Sequence, residues 1–367
     1  MKKLIKKKCV VLTAGGTGGH VYPADALAEE LEKRNYDVVL YTDSRGLNNY
    51  KGKLGKIENK AIWSGSVVGK SVLNKIISLI KVAFGVVQAC CYLIKKRPCC
   101  VVGFGGYASF PTALAAVVLR IPLIIHEQNS VMSRTNRVLA KFATLAAQSF
   151  REVKNTPSGV KSFLSGMPVR ENIAALFEQS YKPRNDKGGI TLIVLGGSQG
   201  AKVFAEAIPE AIKNLDEKYQ TGMIVYQQCR KGEEDKVLSL YKNIKAQVVV
   251  KPFFENMAEL YKKANVIISR AGASSVYEIA AVGLPSILVP LPSAADNHQY
   301  FNAKEFENNK AGVVMLQKDF DAKSLKNILE GFWQDEKLLL QMSKAAKKIA
   351  IVDAAKRLAE AVEKIKE

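Results

Sequence analysis

Short apolar runs alternate along this chain with longer stretches of helical spacing. In the first half the runs fall at 9–12, 37–41, 100–102 and 121–125, and in the second at 190–194, 223–226, 248–250, 266–269 and 286–289. Runs of this length without polar alternation mark strands buried on both faces of a parallel sheet. Helices are expected between them, at 23–34 and 111–119 among others, and the Ala- and Lys-rich tail from about Lys344 to Glu367 reads as terminal helices. The alternation predicts an α/β fold with a doubly wound parallel sheet in each half. Residues 155–189 carry Pro157, Gly159, Gly166, Pro168, Pro183, Gly188 and Gly189, which is the composition of a linker and domain boundary.

Three of the runs lead into glycine loops: Ala14-Gly15-Gly16-Thr17-Gly18-Gly19-His20, Gly103-Phe104-Gly105-Gly106-Tyr107 and Leu195-Gly196-Gly197-Ser198-Gln199-Gly200-Ala201. A strand, a glycine turn and a helix together present backbone N–H groups and a positive helix end to a phosphate. One such unit opening each half points to two nucleotide-type domains handling two phosphorylated partners. The spacing of an NTPase P-loop is absent from these loops. The run at 121–125 ends in His126-Glu127-Gln128-Asn129, polar residues where a strand meets a ligand crevice.

One segment departs from the pattern. Residues 76–94 are apolar on nearly all sides, with a single charge at Lys81. The length approaches that of a membrane span, but a central Lys is costly in a bilayer. A core helix is the plainer reading of most of it. Its first half has more apolar surface than one buried face needs, in Leu73, Ile76, Ile77, Ile80 and Phe84, with Lys75 and Lys81 among them. That mixture suits peripheral docking on an anionic membrane. The start, Met1 to Lys8, is basic like a signal peptide, but the apolar stretch behind it is too short for one, and a buried first strand is expected.

Composition adds two constraints. The 367 residues suit two domains, and 54 Lys and Arg against 34 Asp and Glu give a net charge of +20, which favours anionic partners. Six Cys without any CxxC spacing read as small buried residues in a reducing compartment. The three His, at 20, 126 and 298, lie too far apart in sequence to suggest a metal site. A neutral imidazole at His20 could take a proton from an attacking hydroxyl, or be a hydrogen-bonded structural group; Glu127 is the competing base. Gly272-Ala273-Ser274-Ser275 lets a diphosphate approach the backbone at a helix N-terminus. Glu278, one turn further on, could accept both hydroxyls of a ribose, or simply favour the helix dipole.

Together with Ser269-Arg270-Ala271-Gly272-Ala273, Glu278-Ile279-Ala280 and Ala294-Ala295-Asp296-Asn297-His298-Gln299, the loops quoted above resemble the MurG family of peptidoglycan UDP-N-acetylglucosamine transferases, which convert lipid I to lipid II. The motifs occur in the family's order over most of the chain. Gly166-Met167-Pro168-Val169-Arg170 departs from it, since the family usually has Asn at the Met position. The resemblance implies a GT-B fold with two Rossmann-like domains and a cleft between them. Residues 1–165, with a returning C-terminal helix at about 350–367, would bind the acceptor and dock on the membrane, and residues 166–349 would hold UDP-GlcNAc. It implies a donor site of Thr17, Gly18, Gly19, Asn129, Arg170, Ser198, Gln199, Phe254, Ala273, Ser274, Glu278 and Gln299. The acceptor pyrophosphate would meet Gly15, Gly16, Gly105, Gly106 and Tyr107. The implied partners are UDP-GlcNAc, lipid I, the anionic cytoplasmic face of the bacterial inner membrane and other cell-wall synthesis proteins, with no nucleic acid, cofactor or metal. A lipid galactosyltransferase or a UDP-GlcNAc 2-epimerase would share the donor-side logic, and a basic nucleic-acid or membrane binder is the non-enzymatic alternative.

Overall fold

The computed structural model describes residues 7–15, 18–49, 52–65, 71–197 and 202–365. The chain divides into two compact units, Met1–Arg170 with Ile351–Glu367, and Glu171–Ala350. Among the described residues the first unit has seven parallel strands: β1 Cys9–Thr13, β2 Asp37–Thr42, β3 Glu58–Ala61, β4 Cys100–Gly103, β5 Leu123–Glu127, β6 Leu145–Gln148 and β7 Ser162–Leu164. Their order across the sheet is β3-β2-β1-β4-β5-β6-β7. The second unit has six: β8 Thr191–Leu195, β9 Ile224–Gln228, β10 Gln247–Lys251, β11 Val266–Ser269, β12 Ser286–Leu288 and β13 Gly312–Val314. These are ordered β10-β9-β8-β11-β12-β13.

In both sheets the strand order reverses beside the first strand, between β1 and β4 and between β8 and β11. A doubly wound sheet opens its crevice at such a point, because the loops on either side leave toward opposite faces. In register, Thr13 lies beside Gly103 and Leu195 beside Ser269. The glycine loop after β1 therefore adjoins the one after β4, and Gly196-Gly197 adjoins Arg270-Ala271-Gly272. Residues far apart in sequence meet there because parallel pairing aligns the carboxyl ends of neighbouring strands.

The central strands β1, β4 and β11 are buried throughout, as their unbroken apolar runs require. The strands the pattern does not reveal are β3, β6, β7 and β13. Three of them lie at sheet edges, where the sequences ENKA, SFL and GVV are short and only partly covered. β7 and the short helix Glu171–Ala174 occupy the stretch read as a bare linker. β5 begins two residues later than expected, after Pro122, so His126 and Glu127 belong to the strand itself and are fully buried. The first helix, Gly18–Lys33, starts five residues before Pro23, so His20 lies in its first turn.

The helix Ala354–Lys364 belongs to the first unit. Leu358, Ala359, Ala361 and Val362 join the core formed by Val10, Leu12, Leu27, Leu31 and Leu40. Arg34 secures the join, its Nη1 lying 2.8 Å from Glu363 Oε2 while its Nε is 2.9 Å from Glu30 Oε1.

The apolar segment forms one helix, Val72–Lys96, ended by Arg97 in the left-handed region. Its covered stripe is Ser78, Gly85, Ala89 and Leu93. A Cβ at Gly85 would sit 1.9 Å from the Trp63 carbonyl oxygen, so only glycine permits this approach. The other faces are open, and a core helix is therefore the wrong description. Cys9, Cys100 and Cys229 are buried as expected, but Cys91 on this helix is exposed.

Candidate functional site

At the crest of the first sheet, His20 is packed between the two glycine loops. A Cβ at Gly15 would come within 3.4 Å of its ring, and one at Gly106 within 3.3 Å. Gly105 and Gly106 both have φ of +79°, which a side-chain-bearing residue would adopt only under strain. These positions keep space around the imidazole and leave backbone close to it. His20 Nδ1 lies 3.2 Å from Gln128 Oε1. The Gln128 amide nitrogen lies 2.8 Å from the Phe104 carbonyl oxygen, 3.1 Å from that of His126 and 3.1 Å from His126 Nδ1. His126 Nε2 is 3.0 Å from the Gly166 carbonyl oxygen. Burial drives the His126 pKa down to about 4, so its ring is neutral; the nearby His20 acts in the same direction, and the bond to Gly166 opposes it.

Glu127 is fully engaged. Oε1 accepts from the Asn129 backbone at 3.0 Å and the Asn129 side chain at 3.4 Å. Oε2 accepts from the Ser133 backbone at 2.9 Å and Asn136 Nδ2 at 2.8 Å. The carboxylate thus clamps the loop after β5 onto the helix Arg134–Ala140. Tyr107 is set to one side, its hydroxyl 3.4 Å from Asp43 Oδ2 and its ring beneath the Arg45 guanidinium. Arg170 stacks on Tyr22 at 4.9 Å.

The crest of the second sheet has different chemistry. β11 runs into Arg270, then Gly272 caps the helix Ala273–Val282. Arg270 is 8% exposed, stacks on Phe204 at 4.9 Å, and donates to the Val289 carbonyl at 3.1 Å and to Gln317 Oε1 at 2.6 Å. These are neutral partners, and burial lowers its pKa. In the helix's first turns the Ser274 hydroxyl is buried with no hydrogen-bond partner. Glu278 is buried beyond the first turn, where it receives the Tyr261 hydroxyl on Oε2 at 3.0 Å. A role limited to favouring the helix end does not fit that position. Gln299 follows a turn in which Asp296 and Asn297 both have positive φ, and its Oε1 accepts from the Leu291 backbone at 3.0 Å. Phe254 packs edge-on to Tyr226 beside a 570 Å³ groove that also meets Lys251 and the exposed Phe253.

Residues 10–148 match the glycosyltransferase family 28 N-terminal domain, and residues 191–358 match its C-terminal domain. A Rhodospirillum rubrum protein named UDP-N-acetylglucosamine–N-acetylmuramyl-(pentapeptide) pyrophosphoryl-undecaprenol N-acetylglucosamine transferase is 40% identical, covering 96% of this chain and 91% of its own. The crystal structure of Acinetobacter baumannii MurG superposes with a TM-score of 0.78 at 30% identity, over 98% of this chain and 99% of that one. The chain belongs to glycosyltransferase family 28. Its fold extends beyond close relatives: a UDP-GlcNAc 2-epimerase from Neisseria meningitidis superposes with a TM-score of 0.67 at 17% identity, over 97% of this chain and 100% of that one.

For this family 28 protein the first unit brings together Gly15, His20, Gly105 and Gly106, with Glu127 at the end of β5 and Asn129 on the loop after it. The second unit brings Ala273, Ser274 and Glu278 onto one helix. Gly16, Thr17, Ser198 and Gln199 lie outside the described residues. Gly18 and Gly19 open the helix that carries His20. Among the described residues no cluster of three or more His, Cys, Asp or Glu could hold a metal ion. Sequence reasoning missed Gln128, Tyr261 and Arg270 as components of these crests. Gln128 stands inside a quoted motif, but its role depends on the alignment of β5 with β4. It also missed Trp63, whose ring is 59% exposed and lies 6.2 Å from that of Phe84.

Proposed function

We infer that the protein transfers GlcNAc from UDP-GlcNAc to the C4 hydroxyl of MurNAc in undecaprenyl-pyrophosphoryl-MurNAc-pentapeptide, yielding lipid II and UDP. The observation that carries this reading is a full-length match, in both directions, to transferases named for that reaction, at about 40% identity.

The reaction is an inverting displacement. The acceptor oxygen bonds to the anomeric carbon, the bond from that carbon to UDP breaks, and the hydroxyl proton passes to a base. His20 is that base. Its ring sits in a space kept open by Gly15, Gly105 and Gly106. Glu127 is set aside because both its oxygens are occupied by four donors in a fully buried site. The first unit receives the acceptor pyrophosphate on backbone N–H groups of its glycine loops. The second holds the donor at the start of the Ala273–Val282 helix, where the helix end and small residues suit the diphosphate and Glu278 suits the ribose. Fixed dipoles stabilise the departing UDP, so the chemistry does not require a metal.

The enzyme works on the cytoplasmic face of the inner membrane, near other cell-wall synthesis proteins. Leu73, Ile76, Ile80, Phe84 and Val87, spaced i, i+3, i+7, i+11 and i+14, form an exposed stripe opposite the covered one. Lys75 and Lys81 are exposed on the same helix, and Trp63 adds an aromatic anchor. Replacing Ile76, Ile80 and Phe84 together by Ser should abolish sedimentation with anionic vesicles while leaving turnover of a soluble acceptor analogue intact. Unchanged sedimentation would place docking elsewhere. The activity itself is tested by UDP release from UDP-GlcNAc with and without a lipid I analogue. Acceptor-dependent release with a GlcNAc-extended lipid supports the transferase; UDP release that ignores the acceptor would favour an epimerase-like or hydrolytic enzyme.

A further inference from the structure

The hydrogen bonds beneath His20 form a directional chain, and each link has its polarity fixed by the one before. It begins at the Gly166 carbonyl, which can only accept. His126 Nε2, 3.0 Å away, must therefore carry a proton. In a neutral ring this leaves a lone pair on His126 Nδ1. That nitrogen faces the Gln128 side-chain amide at 3.1 Å, so the amide presents its NH2 end there. The carbonyl oxygens of Phe104, at 2.8 Å, and His126, at 3.1 Å, demand the same end. Turning the amide over would set Oε1 against two carbonyl oxygens and a ring lone pair. Gln128 Oε1 therefore points to His20, and at 3.2 Å from Nδ1 it can only accept.

We propose that Gln128 is a positioning residue that holds neutral His20 in the Nδ1–H tautomer and so places the ring's lone pair on Nε2, with His126 and the Gly166 carbonyl fixing the direction of the chain. The tautomer matters because the two ring nitrogens are not interchangeable: only the unprotonated one can receive a proton. In the transfer reaction the acceptor hydroxyl's proton would move to Nε2 while the other proton stays on Nδ1, hydrogen-bonded to Gln128 Oε1. No proton needs to travel along the chain, because its work is orientation. The catalytic consequence rests on the reading of His20 as the base; the tautomer assignment does not.

The chain contains three His, so a two-bond proton–nitrogen correlation on the full-length protein with 15N-labelled histidine gives three ring patterns, assigned with His126→Phe and His298→Gln. In the wild type, His20 should show a protonated Nδ1 and an unprotonated Nε2, and His126 the reverse. Gln128→Met, close in volume, should release His20 toward the Nε2–H form. It should also lower kcat by about tenfold or more, with KM for UDP-GlcNAc unchanged. His126→Phe should have a smaller effect on both, since two carbonyls still orient the amide. A wild-type His20 with Nε2–H overturns the proposal without any variant having to fold. So does an Nδ1–H pattern that survives Gln128→Met. A tautomer that shifts in Gln128→Met with kcat unchanged upholds the hydrogen-bond assignment and removes His20 as the base.

Discussion

The two units share a strand order about their first strand and open their loops at the same point of the sheet, yet the residues there differ in chemistry. The first crest holds two imidazoles and an amide joined by directional hydrogen bonds, with a buried carboxylate next to them in the chain. The second holds a buried guanidinium with neutral partners, a helix end, small residues and one carboxylate held by a tyrosine. On the proposed reading, one handles a proton and the other holds an anion. The scaffold supplies only the place; a few side chains on the loops decide the chemistry.

The sharpest test separates those tasks by substitution. His20→Ala should lower kcat by about 100-fold or more and leave the affinity for UDP-GlcNAc unchanged. Glu278→Gln should do the reverse, weakening donor binding by about tenfold with kcat retained at saturation. Steady-state kinetics with each substrate varied, together with direct titration of donor, distinguish the two; matching losses in both variants would dissolve the division of labour.

Arg270 sharpens the same contrast. A buried guanidinium donating to carbonyls and an amide leaves its charge to be balanced by something else. If that is the donor's diphosphate, Arg270→Met should weaken UDP binding by about tenfold and flatten its dependence on salt. A variant that loses melting temperature but binds UDP normally would make Arg270 a packing residue only.

The units should also differ in what holds them together. Leu358→Ala removes a fully buried side chain from the returning helix and should cost the first unit about 3 kcal/mol. Denaturant unfolding followed by hydrogen exchange should show the loss in β1, β2 and β4 and not in β8 or β11. The smallest effect at neutral pH belongs to His126. Its pKa is depressed to about 4 in the fold and sits near 6.5 when unfolded. Its neutral form costs nothing above pH 6.5. Below that the unfolded chain binds a proton the native state refuses, so stability falls as pH drops from 6.5 toward 4. The loss reaches about 3 kcal/mol and then levels off. His126→Phe should flatten this slope in the first unit, and an unchanged slope would point to another group.

Much of this was legible in the sequence. Unbroken apolar runs located the central strands, because a strand covered on both faces cannot hide its pattern. The glycine loops marked both crests, because close backbone approach leaves little choice of residue. Except for β10, the edge strands were not legible: ENKA and SFL carry no periodicity when half the strand is wet. The boundary of β5 was misread because Pro122 was counted in and the buried polar pair His126-Glu127 was counted out. Gln128 was invisible as an orienting group, since its direction is set by the carbonyls of Phe104, just past β4, and His126 on β5, which only sheet pairing brings near. The helix 72–96 was half legible. Its composition announced excess apolar surface, but which face stays open was decided by Gly85 against Trp63.

The helix Ala354–Lys364 also sets an order of events during synthesis. The strands β1 to β7 leave the ribosome before any of the second unit, yet their core stays incomplete until Leu358 and Val362 arrive. The unit begun first is therefore finished last, shortly after Met342 completes the core of the second. Throughout that interval the apolar helix 72–96 belongs to an unfinished partner. A chain truncated and released before residue 354 would keep the whole second unit while the first lacked Leu358 and Val362, and would be a substrate for chaperones or proteases at that half.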